Sequence, residues 1–154
     1  ISYREVVQKV LPSTVTVATG VCVYDRSSVL LSMMPYSCAL LQGSGIIVDK
    51  EGLLVTNRHV TGEKYKLQGA DIKLFVQTSN GQVYRATVVN KHPVVDLALL
   101  NLTHVVNEGI GRGEEKMKLL SHSNFPELTP IDFSNGSATA VGDLVMAVGD
   151  NFGL

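Results

Sequence analysis

The sequence predicts an all-β domain of antiparallel strands, on three observations. Short β-branched runs recur between Val15 and Leu102, several alternating apolar with polar residues, which is the period of a strand with one buried face. Turn chemistry separates these runs, most clearly at Asp49-Lys50-Glu51-Gly52 and Ser79-Asn80-Gly81, where glycine can supply the positive φ that closes a hairpin. The chain has 154 residues, 45% of them hydrophobic. That is one domain's worth of core, with no need of metal or disulfide staples.

Each element follows from its residues. Tyr3–Leu11 places Val6, Val7, Val10 and Leu11 at helical spacing, and Pro12 stops it, so a short leading helix is expected. Val15–Ala18 reads as the first strand. Gly20–Gln42 is a long excursion with apolar patches at Val29-Leu30-Leu31 and Met33-Met34, interrupted by Pro35 and too short for a membrane span. Ile46–Val48 and Leu53–Thr56 form a hairpin over Asp49–Gly52, and Thr61–Ala70 is a polar, glycine-punctuated loop. Ile72–Thr78 and Val83–Val89 pair across Asn80-Gly81, and Lys91–Pro93 turns the chain into a strand at Val94–Leu100. Six strands by Leu102 are enough to close an antiparallel barrel; periodicity alone allows a sandwich equally well. Thr103–Thr139, rich in Gly, Pro and charge, reads as a connector with one extended piece at Ile131–Phe133, and Gly142–Gly149 as a last strand.

Composition narrows the function. The formal net charge is −1 without any block of Lys or Arg, which argues against a nucleic-acid or anionic-membrane surface. Cys22 and Cys38 cannot make a zinc site alone. Buried free thiols are the expectation for them, with a disulfide across the excursion as the alternative in an oxidising compartment. The sequons Asn101-Leu102-Thr103 and Asn135-Gly136-Ser137 matter only in a secretory protein, and Asn101 falls in an expected strand. Opening at Ile1 without an initiator Met or an apolar leader, the chain reads as a processed protein or an expressed fragment.

Two residues stand out as chemistry. His59 comes just past the end of the Leu53–Thr56 strand, where a side chain is exposed yet held by a rigid sheet. Asp96 is a lone carboxylate in Val94-Val95-Asp96-Leu97-Ala98-Leu99-Leu100, and a carboxylate buried in an apolar strand requires a partner. If it accepts the Nδ1–H of His59, it fixes the tautomer that leaves Nε2 to take a proton from a nucleophile. The alternatives are a histidine capping a loop and an aspartate bonded to neighbouring backbone N–H groups.

Gly43-Ser44-Gly45-Ile46-Ile47-Val48-Asp49, Val55-Thr56-Asn57-Arg58-His59-Val60, Asp96-Leu97-Ala98-Leu99-Leu100 and Val141–Gly149 followed by Asn151-Phe152-Gly153-Leu154 together resemble, in order, the HtrA (Deg) serine proteases. The resemblance implies a trypsin-like (chymotrypsin-type) antiparallel β-barrel, with the first strand of a second barrel and a short N-terminal helix. On that reading residues 1–102 are the first barrel, 103–139 the connector and 140–154 the start of the second barrel. It also implies that His59 is the general base and Asp96 its orienting acid, and it calls for no cofactor and no metal. The implied partners are unfolded or misfolded polypeptides, with trimeric assembly through the N-terminal segment and an organellar, exported or periplasm-like location. The Gly20–Gln42 excursion corresponds to the family's variable first long loop.

One part of the family pattern is missing. The nucleophilic serine of these proteases lies in a Gly-Asn-Ser-Gly-Gly type motif, and the 154 residues contain none. Asn135-Gly136-Ser137-Ala138 sits in the connector, so Ser137 is expected to be a turn residue. Three readings follow: the N-terminal portion of an HtrA-like endopeptidase, inactive alone; a non-catalytic relative that binds polypeptides or partner subunits; or an unrelated ligand-binding barrel in which His59 and Asp96 are incidental.

Overall fold

The computed structural model describes residues 2–24, 35–108, 116–134 and 136–149. Helix α1 (Arg4–Val10) leads through a 3-10 turn, Leu11–Ser13, into the sheet. The strands are β1 (Thr14–Tyr24), β2 (Pro35–Ile47), β3 (Leu53–Thr56), β4 (Asp71–Thr78), β5 (Val83–Lys91), β6 (Ala98–Glu108) and β7 (Lys116–Leu119). They form one antiparallel sheet in the order β3-β2-β1-β4-β5-β6-β7, and β3 also pairs with β6 from Leu53↔Asn101 to Thr56↔Ala98. That last pairing closes β1 to β6 into a barrel, leaving β7 as one added strand on β6. The periodicity left barrel and sandwich open; closure makes it a barrel.

Alternation explains the interior. In β1 every second residue from Val15 to Val21 is buried, and Val15, Val17, Leu54, Val76, Tyr84, Leu100 and Leu102 meet in one core. The β2–β3 hairpin turns as expected: Gly52 has φ 97°, while Asp49 Oδ1 accepts from the N–H groups of Glu51 and Leu53 at 2.9 and 3.0 Å. Between β4 and β5, the Gly81 N–H donates to the Thr78 carbonyl at 2.9 Å.

Several expectations are corrected. The described residues of the Gly20–Gln42 excursion, 20–24 and 35–42, are sheet, and β1 and β2 keep their register from Thr14↔Ile46 out to Cys22↔Cys38. That register puts the two cysteines directly opposite each other, and they form a disulfide in place of the expected free thiols. Within the expected loop at Thr61–Ala70 lies a short helix, α2 (Glu63–Lys66). β6 runs on to Glu108 and β7 follows, both inside the stretch read as a connector from Thr103. At the expected extended piece the Ile131 N–H donates to the Ile47 carbonyl at 2.8 Å, without a ladder forming. The strand expected at Gly142–Gly149 does not form: these residues have no ladder partner and most are exposed. The extra strand beyond the barrel is thus β7 at Lys116–Leu119. Val29–Leu31, Met33-Met34, Asn135 and Asn151–Leu154 lie outside the described residues.

Candidate active site

β3 ends at Thr56, and the chain tightens at once into a 3-10 turn, Arg58–Thr61, that carries His59. The turn is fixed to the barrel from beneath. Val60 is 2% exposed, and its carbonyl accepts the buried Thr19 hydroxyl from β1 at 2.6 Å. Gly43 of β2 passes so close that a Cβ there would stand 2.6 Å from Val60 Cγ2. Thr61 Oγ1 donates to the Arg58 carbonyl at 2.7 Å. The ring of His59 consequently projects from an anchored base into solvent, its side chain 72% exposed.

Asp96 arrives from the other direction. It was expected inside a buried strand; instead it ends the exposed turn between β5 and β6, with its side chain 52% exposed. The burial alternation begins only at Ala98, followed by Leu100 and Leu102. Val94, Val95 and Leu97, whose apolar character suggested a strand, are themselves exposed at 87, 50 and 43%. The turn is closed by the His92 N–H, which donates to the Leu97 carbonyl at 2.9 Å.

The structure brings the two side chains together. His59 Nδ1 lies 2.6 Å from Asp96 Oδ2, and the backbone N–H of His59 donates to Asp96 Oδ1 at 2.9 Å. Both carboxylate oxygens therefore accept from one residue, and an ionised carboxylate facing Nδ1 requires that atom to carry the proton. The imidazole hydrogen bond, helped by the backbone one, holds the Asp96 carboxyl below its ordinary range. Nε2 points away from Asp96 and can accept a proton. This geometry can orient and charge-stabilise an imidazole; no group of three metal-ligating side chains occurs among the described residues.

Neighbours that sequence reasoning passed over hold the pair in register. Asn57 Nδ2 donates to the Asp96 carbonyl at 3.0 Å. Arg58 Nη1 donates to the carbonyls of His92 and Pro93 at 3.0 and 3.4 Å, while its Nε meets Glu63 Oε2 at 2.8 Å and Lys91 Nζ meets Glu63 Oε1 at 3.0 Å. Those two bonds, that from Arg58 the greater, hold the Glu63 carboxyl below its ordinary range. The signal for Asn57 and Arg58 was their position beside His59; Glu63, Lys91 and His92 carried none. An open cleft of about 480 Å³ beside the pair is lined by Leu41, Lys64, Tyr65, Val94 and Val95 as well as Arg58, His59, Glu63 and Asp96.

The family model described as "Trypsin-like peptidase domain" matches residues 43–154. The chain is 34% identical over 113 residues to a probable periplasmic DegP-like serine endoprotease of Buchnera aphidicola subsp. Baizongia pistaciae, covering 73% of this chain and 18% of that protein. It is 37% identical over 97 residues to the serine protease HTR4 of Rattus norvegicus, covering 63% of this chain and 17% of that protein. Among solved structures it is similar to the HtrA-type protease AlgW with decapeptide, at 27% identity and a TM-score of 0.48 over 66% of this chain and 33% of that one. The chain thus spans less than a fifth of the length of either curated relative. With the family model covering most of its residues, and with a closed six-strand barrel in place, the chain belongs to the trypsin-like peptidase domain family, and within it to the HtrA/Deg serine proteases.

Proposed function

We propose that this chain supplies the general base, His59, and the orienting acid, Asp96, of an HtrA-like serine endopeptidase acting on polypeptides. The observation that carries this reading is the doubly bonded pair: Asp96 accepts both the ring and the backbone N–H of His59, at 2.6 and 2.9 Å. In acyl transfer such an imidazole takes the serine proton through Nε2, and the carboxylate stabilises the imidazolium that results. Residues 1–102 are read as the first barrel of the protease domain, its strand β6 running past that boundary to Glu108, 103–139 as a connector that also carries β7, and 140–154 as the start of the second barrel. A cleft flanked by exposed Val94 and Val95 suits an extended apolar segment of an unfolded chain. The disulfide between Cys22 and Cys38 suits an exported or organellar compartment.

No Gly-Asn-Ser-Gly-Gly motif occurs in the sequence, so neither a nucleophile nor oxyanion-hole donors are assigned to any residue here. The purified chain is expected to leave casein intact, with His59→Ala making no difference, because a base and its orienting acid do not form or stabilise an acyl intermediate alone. Casein turnover by the chain, abolished in His59→Ala, would refute this. The second reading, a non-catalytic polypeptide-binding or assembly module, draws on the same missing motif and on the exposed apolar residues beside the cleft.

A further inference from the structure

The turn that carries Asp96 is exposed, so something other than packing must hold it. It is gripped from two sides. Arg58 Nη1 takes its carbonyls, donating to His92 and Pro93 at 3.0 and 3.4 Å. The side chain of His92 takes its amides: the N–H groups of Val94 and Val95 both donate to His92 Nδ1, at 3.1 and 2.8 Å. A backbone N–H can only donate, so the ring atom facing two of them must present a lone pair. His92 is therefore neutral in this turn, with its proton on Nε2. Protonating Nδ1 replaces the lone pair with a third N–H directed at two donors, and both hydrogen bonds are lost. The second of them is made by Val95, the residue immediately before Asp96.

We propose that His92 is a pH-responsive positioning residue, which when neutral holds the turn that aims Asp96 at His59 and when protonated releases it. Its consequence for catalysis rests on the reading of His59 and Asp96 given above; the tautomer and the release do not. The charged groups tied to this turn are Arg58, which bonds the His92 carbonyl, Lys91 next to it in sequence, Glu63, which pairs with both, and Asp96, which pairs with His59. Glu63 is engaged by both Arg58 and Lys91, and Glu63 and Asp96 are both held below the ordinary carboxylate range. His92 and His59 are the two imidazoles of this cluster.

Long-range ¹H–¹⁵N NMR of the whole chain, followed from about pH 8 to about pH 5, separates these two. At the upper end His92 should show the Nε2–H tautomer. On acidification the Val94 and Val95 amide signals should move with the His92 ring, with one midpoint, in the intact chain and in His59→Ala alike. Protection of the Val95 amide from exchange should fall roughly fivefold, as for the loss of one ordinary hydrogen bond. In His92→Asn, whose Oδ1 accepts at the same reach and does not titrate, both amides should stay in their bonded positions across the range; in His92→Leu they should be released throughout. An Nδ1–H tautomer for His92 at the upper end overturns the proposal. So does an amide transition that persists in His92→Asn, or one that vanishes in His59→Ala, which would place the switch in His59. An Asp96→Asn chain in which His59 keeps its tautomer while His92 behaves as described overturns the catalytic pairing and leaves the turn device standing.

Discussion

Both oxygens of Asp96 serve His59, and that makes the carboxylate's charge the variable that sets the ring's tautomer. Asp96→Asn keeps one acceptor for the backbone N–H but places an NH₂ donor opposite Nδ1, so the imidazole proton is expected to move to Nε2. Nitrogen chemical shifts of His59 report that move directly; an unchanged Nδ1–H tautomer would show that Asp96 does not control the ring. The same pair has a sign in pH. A carboxyl whose folded value is depressed adds stability above its ordinary value, here 3.8, and loses it as the pH falls through the folded value. The gap in urea midpoint between the intact and Asp96→Asn chains should therefore be full at neutral pH and narrow below that point. Glu63, depressed chiefly by Arg58, follows the same rule from its ordinary 4.5.

At the scale of elements, His59 is placed by a contact between β2 and the 3-10 turn in which neither partner has room. A methyl at Gly43 would meet Val60 Cγ2 at 2.6 Å, and overpacking of this kind costs about 1–3 kcal/mol. Gly43→Ala should be destabilised by that much, Val60→Ala should lose stability through the cavity it leaves, and the double variant should be more stable than the sum of the two. Strict additivity in denaturant titrations would show that Gly43 and Val60 do not press on each other. The β1–β2 ladder meanwhile owes its length to continued alternation, Val21 being buried near its far end. The disulfide crosses that ladder at Cys22↔Cys38, at the end of the Val15–Cys22 pairing with β4.

The molecule as a whole is a closed barrel with an uncovered C-terminal run. Val141, Leu144 and Val145 are 107, 77 and 82% exposed, and Gly142–Gly149 pairs with no strand. Exposed apolar side chains beside unpaired backbone invite association. The full chain is thus expected to self-associate at concentrations where a version ending at Thr139 scatters light as a monomer. Equal monomeric masses for the two would exclude association through this run. Helix α1 buries none of its residues, so it offers a second apolar surface, and deleting it tests whether association survives through the C-terminal run alone.

What the sequence by itself determined is what depends on near neighbours. A short β-branched run after its turn marked Leu53–Thr56, and partial alternation marked Ile72–Thr78 and Val83–Val89, each within a residue or two of β3, β4 and β5, because a side chain's face in a strand follows from its position alone. Gly52 and Asn80-Gly81 marked their turns for the same reason, since turn chemistry is local. His59 was legible as a histidine at a strand end. Tertiary structure decided whatever depends on a distant partner. The pairing of β3 with β6 chose barrel over sandwich, and the register of β1 on β2 chose a disulfide over free thiols. The apolar run around Asp96 could be read as buried strand until the fold showed where burial begins, at Ala98. Asp96 and His59 meet across 37 residues of sequence, and Arg58 reaches the turn carbonyls across 34 and 35. Periodicity fixes which way a side chain faces, but only the folded chain decides which donor or acceptor stands opposite it.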